Sequence, residues 1–228
     1  MIGVTLTLAS WSSEGSSEVI DSVQRVKDQW AEVFYLRPGD GQAASLEALL
    51  PQVQTLMARY PKAAEPLILG ALVRCALAGA EGGLSALDQV KQAKELLIRA
   101  INLDPLAMEG SAYVILGNLY FRLPGWPISF GDDDLARMNL EIALKAFPNA
   151  MDTNYCYGDF LLEQGDYLHA LPYLEKAEAA PVRPASRLSD LQLKQELKQI
   201  LRQAREGHTE AGGFFSRFLS RLRSEPVR

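Results

Sequence analysis

Two cysteines and two histidines in 228 residues are too few for most of the side-chain chemistry that marks an enzyme or a metal protein. Cys75 and Cys156 each sit in an apolar run with no second cysteine nearby and no zinc-type spacing, so both read as buried thiols and not as a bridge or a ligand. His169 falls on a helical segment and His208 in a loop, without the spacing that metal ligation needs. The glycine pairs Gly82-Gly83 and Gly212-Gly213 follow no strand and open no phosphate-cradling loop. Positive charge is also short. A net charge of −5 argues against nucleic acid, whose phosphates are held by clustered Lys and Arg. With no nucleophile, base or cofactor fingerprint, no cofactor or metal is expected. The chain reads as a binding protein and not as an enzyme.

What is present is apolar and helical. Hydrophobic residues make up 48% of the chain, enough for a sizeable core. The charge is unevenly spread: residues 1–182 carry 13 basic and 23 acidic side chains, and residues 183–228 carry 10 and 5. An acidic body with a basic tail results. The start, MIGVTLTLAS, is too short to span a bilayer as a helix. It lacks a basic first section, although Thr7 and Ala9 suit a small-residue cleavage site. Residues 1–15 are therefore expected to be the remnant of an export signal or a disordered lead, with a periplasmic location expected and a cytoplasmic one as the alternative.

Self-comparison reveals a repeat. Ala93, Leu97, Ala100 and Pro105 share a phase with Ala136, Leu140, Ala143 and Pro148, and with Ala170, Leu174 and Ala177, whose proline, Pro181, arrives one residue early. Each of these segments follows another that carries a glycine at matching phase: Gly70, Gly117 and Gly158. A small residue on each helix lets the two backbones approach closely. The units resemble tetratricopeptide (TPR) repeats, which implies an all-α superhelix of helical hairpins over residues 62–181. The first two hairpins are expected to carry insertions.

Residues 16–61 read as a degenerate first unit. Val19, Val23, Val26, Trp30 and Val33 draw one apolar face on a helix beginning near Ser16 or Ser17. A partner helix is expected from Ser45 to Tyr60 with Pro51 inside it, matching Pro172 in the third unit. Residues 182–211 give a capping helix from Ser189, with Leu193, Leu197, Ile200, Leu201 and Ala204 on one face. Residues 212–228 form a basic amphipathic tail that either touches an anionic membrane surface or folds back on the acidic body.

The insertion LPGWPISFG, residues 123–131, is the most unusual stretch. Its Trp126 is either a plug between units or a ligand lid. The aspartates that follow, Asp132 to Asp134, suit a helix N-terminus better than a cation. From Gly117 to Tyr167 the chain is similar in layout to the T-component (TatT) family of periplasmic TPR proteins associated with TRAP transporters. That resemblance implies a helical periplasmic protein that binds a small, partly apolar ligand or docks on a partner protein, though the family's lipidated N-terminal cysteine has no counterpart here.

The first helix of each unit lines the concave face of such a superhelix. The glycine phases then put Leu67, Ala71 and Arg74 there, with Val114, Asn118, Phe121 and Arg122, and Tyr155, Asp159, Leu162 and Glu163. Arg74, Asn118, Phe121, Arg122, Trp126, Tyr155 and Asp159 are the candidate binding residues. Apolar surface beside two arginines suits a small amphiphilic ligand, a carboxylate for example, or a peptide terminus. Arg122 with Asp159 also reads as a plain structural ion pair. The alternative function is a protein–protein interaction scaffold for complex assembly.

Overall fold

The computed structural model describes residues 10–206, and among these every regular element is a helix. The apolar start, residues 1–9, and residues 207–228 with the expected amphipathic tail lie outside the described residues. No helix among those described is long and apolar enough to cross a membrane.

Helix α1 (Ser10–Leu36) buries Val19, Val23, Val26, Trp30 and Val33 on one face. It starts earlier than expected, so residues 10–15 are helical. The serines at 16 and 17 lie within the helix, because a capping side chain stops nothing where the backbone before it can still continue. The expected partner helix is broken in two. α2 (Gln42–Glu47) begins after Gly41, whose φ of 86° turns the chain, and α3 (Leu50–Arg59) begins one residue before Pro51. Pro51 therefore occupies a first turn, where its missing N–H has no partner to lose. Pro172 lies inside a helix, so the two prolines do not play one shared role. Ser45 is likewise no cap. Its hydroxyl donates to the Gly41 carbonyl at 3.0 Å from within α2.

Three hairpins follow. α4 (Glu65–Glu81) packs on α5 (Gly83–Leu103), α6 (Ala107–Arg122) on α7 (Asp133–Ala146), and α8 (Met151–Glu163) on α9 (Tyr167–Ala179). The extra residues of the first hairpin form no loop: they lengthen α4 to 17 residues and α5 to 21, joined through Gly82. In the second hairpin they form the Pro-Gly loop. The repeated Ala, Leu and Ala positions of α5, α7 and α9 are all at most 1% exposed, which makes them the shared core seam. A Cβ on Gly117 would stand 2.8 Å from Leu140, and one on Gly158 2.8 Å from Leu174. Each glycine thus meets the same leucine of its repeat. Gly70 approaches Leu96 and Val53 instead.

A 3₁₀ turn (Pro184–Ser186) leads into α10 (Arg187–Glu206), which buries the expected leucine face against α9 and α8. α10 also touches α1. Gln24 donates to the Ala185 carbonyl at 2.8 Å, and Lys27 to the Ser186 hydroxyl at 2.8 Å. The first helix therefore reaches across to the last, and both thiols are buried. Burial pushes Cys75 up to about 12 and Cys156 well above the usual thiol range, so neither is a reactive thiolate.

Candidate functional site

Residues of α1, α4, α6, α8 and the segment around Arg183 together line a partly open cavity. Its volume is about 550 Å3, within the range of small-molecule sites. From α1 come Ile20, Val23, Gln24, Lys27 and Trp30, a single stripe at helical spacing. Ile68 and Leu72 of α4, Val114 and Ile115 of α6, and Tyr155 and Cys156 of α8 form the opposite wall. The wall is mostly apolar, and at the N-terminal end of α6 and α8 its charged groups Glu109, Asp152 and Arg183 are clustered by hydrogen bonds.

That end is built by an unusual turn. Met108, Glu109 and Gly110, at the start of α6, have φ of 49°, 56° and 72°. L-residues avoid this left-handed region at a cost of about 1–3 kcal/mol each, and such strain gathers at binding sites. Both Met108 and Glu109 border the cavity. Glu109 accepts from Arg183 at 2.6 Å, so the turn delivers a carboxylate to the far segment.

Arg183 is the hub. Its guanidinium also donates to Asp152 at 2.9 Å and to Asp190 at 2.7 Å, while its backbone N–H donates to Asp190 at 2.7 Å. Burial alone would lower the Arg183 pKa, but its carboxylate partners, Asp190 foremost, hold it above the usual value. Asp152 behaves oppositely: burial raises it even with Arg183 beside it. Lys27 borders the same end, lowered by burial and then by Arg183. Its ammonium donates to Ala185 and Ser186, and no carboxylate among the described residues lies within ion-pair distance.

Of the seven candidate binding residues, Tyr155 borders this cavity and the others do not, and of the remaining residues expected on the concave face Val114 does. Arg74, half-buried, donates to Gln89 of α5 at 2.7 Å. The buried Asn118 side chain donates back to the Val114 carbonyl of its own helix at 2.8 Å. Arg122 is 3% exposed and pairs with both Asp159 and Glu163, so the ion-pair alternative is what the geometry holds. Phe121 sits edge-on to Phe160 with its ring 4.4 Å from the Arg122 guanidinium. These groups close the inner helices at their C-terminal ends, beyond the cavity.

Trp126 does not plug the array: it is 89% exposed. The packed residue of the loop is Phe130, edge-on to Tyr120 at 5.7 Å with the Lys94 ammonium 4.3 Å from its ring centre. The loop is closed by Gly131 donating to Pro124 and Asp132 to Tyr120, both at 2.9 Å. Asp132 caps α7 through Leu135 at 2.9 Å. Among the described residues no group of three or more His, Cys, Asp or Glu is arranged to hold a metal ion.

Lys27, Glu109, Asp152 and Arg183 were not read from sequence. The signals were slight: a glycine at 110 inside a helical stretch, and an arginine enclosed by Pro181 and Pro184. Compared with family models and with curated proteins, the chain matches none.

Proposed function

We propose that the chain is a non-catalytic binding protein, a TPR-like superhelix capped by α10, whose cavity takes a small amphiphilic ligand. The observation that carries this reading is the cavity itself: about 550 Å3 with a mostly apolar wall and a charged cluster of Glu109, Asp152 and Arg183. An apolar site with a few convergent polar groups is the usual form of a small-molecule pocket. Neighbouring support comes from the left-handed turn at Met108 and Glu109. Strain of this kind persists where the surrounding fold holds it.

The similarity of residues 117–167 to the T-component family supports placing this binding role in the bacterial envelope, in association with transport. A protein partner that receives or delivers the ligand fits the same reading.

The test uses N-phenyl-1-naphthylamine, a neutral apolar fluorophore, titrated into the full chain. Saturable one-to-one enhancement is expected. Leu72→Trp, which fills the cavity from a half-buried position, should weaken it by about tenfold or more, a loss of at least 1.4 kcal/mol. Unchanged binding in a folded Leu72→Trp protein would put the probe elsewhere and sink the reading.

A further inference from the structure

The charges around the cavity are unequal, and their sign specifies the ligand further. Glu65, Glu109 and Asp152 border it as carboxylates, against Lys27 and Arg183 as cations. Asp190, 1% exposed, stands behind Arg183 and adds a fourth carboxylate. Carboxylates thus outnumber cations around the cavity. The expectation of a carboxylate ligand rested on Arg74 and Arg122, and neither borders the cavity. Arg122 is committed to Asp159 and Glu163. Arg183 is surrounded by three carboxylates, so it has no charge left for a ligand anion.

Lys27 is the group that argues for an anion. Its ammonium is already held by the Ala185 carbonyl and the Ser186 hydroxyl, and a ligand carboxylate beside it would also face Asp152 and Glu109. Like charges held together in a partly exposed site still repel more than in open water, because screening there is incomplete. A ligand cation meets the opposite situation. It offsets the surplus at Asp152, where burial already disfavours the anion. Trp30, Tyr35 and Tyr155 belong to the same lining, and aromatic rings attract ammonium groups.

We infer that the cavity selects a cationic amphiphile, an apolar body bearing one ammonium group, with the cation beside the lining carboxylates Glu65, Glu109 and Asp152 and the apolar part between Ile20 of α1 and the Ile68–Ile115 wall. This rests on the cavity being a ligand site. The two statements fail differently.

The experiment is calorimetric titration of the full chain at pH 7 with octylamine, octanol and octanoate, which share one apolar tail and differ in head charge. Octylamine should bind roughly tenfold tighter than octanol, and octanoate more weakly than octanol, as expected for one ion pair in a partly buried site. The double variant Glu65→Gln, Glu109→Gln should erase most of the octylamine advantage and leave octanol unchanged. Lys27→Met, which keeps the apolar stem, should increase that advantage. Circular dichroism of each variant verifies that the helices are retained. Octanol binding without an amine advantage, or octanoate binding tighter than octanol and lost in Lys27→Met, overturns the charge assignment and leaves the cavity reading intact. Failure of all three compounds to bind overturns both.

Discussion

At the scale of single residues, the buried group of Arg122, Asp159 and Glu163 sets a measurable pH dependence. Burial pushes the Asp159 carboxyl up to about 6; the attraction of Arg122 works against this, and the neighbouring Glu163 adds to it. A folded-state value above the ordinary 3.8 means that the fold takes up a proton as pH drops through about 6, whereas the unfolded chain takes it up only near 4. The contribution of this group to stability therefore grows as pH is lowered from 7 to 4, and it is lost as pH rises through 6. Denaturant unfolding of the native chain and of Asp159→Asn across this range should show the difference between them shrinking toward low pH. A pH-independent difference would mean that Asp159 is ionised throughout. Arg122→Met removes the shared cation and leaves two carboxylates buried together, at an expected cost of about 3–5 kcal/mol at pH 7. The residues were legible in sequence as a pair, since the glycine phases put Arg122 and Asp159 on adjoining helices. That they serve each other and not a ligand depends on burial, which periodicity does not report.

At the scale of elements, the glycines of the hairpins are the best-read feature, because close approach leaves so few residue types. Gly158→Leu has to displace Leu174, which a bare Cβ already meets at 2.8 Å, and Gly117→Leu has to displace Leu140 in the same way. Each should lower unfolding stability by about 1–3 kcal/mol, the usual result of overfilling a packed core. Gly70→Leu, with its nearest neighbours at 3.1 and 3.2 Å and both of them side-chain tips, should cost less. Equal losses at all three positions would contradict the shared Gly117 and Gly158 geometry. The prolines were read less well, because periodicity alone does not separate a helix interrupted by proline from two helices meeting at one. Pro51 begins a helix after a break at residues 48 and 49, and Pro172 is carried inside α9. The loop was read as a special element, yet its packed aromatic is Phe130 and its free one Trp126. Composition offers no means of choosing between two aromatics four residues apart when the choice is made by the backbone turn between them.

At the scale of the molecule, sequence periodicity conveys which helices pair but not whether an array stays open, because contacts between its ends leave no periodic trace. Here α1 is joined to the segment before α10 through Gln24 and Lys27. That link spans about 160 residues of chain, and its residues border the cavity. In an open repeat array each unit senses its neighbours alone, so damage at one end stays there. In this protein damage to α1 should be felt at α10. Trp30 is 3% exposed in the α1 face, and Trp30→Ala should cost about 3–5 kcal/mol, as for large aromatics cut from a core. Native-state hydrogen exchange should then speed up in α1, and by a comparable factor in the α10 amides of Leu193, Leu197 and Ile200, while the α6–α7 seam at Leu140 responds less. Local opening free energies report such cooperative units directly. Faster exchange limited to α1, α2, α3 and α4 would mean that the two ends merely touch. The cavity would then lie between independently opening parts, and ligand entry would need only α1 to lift.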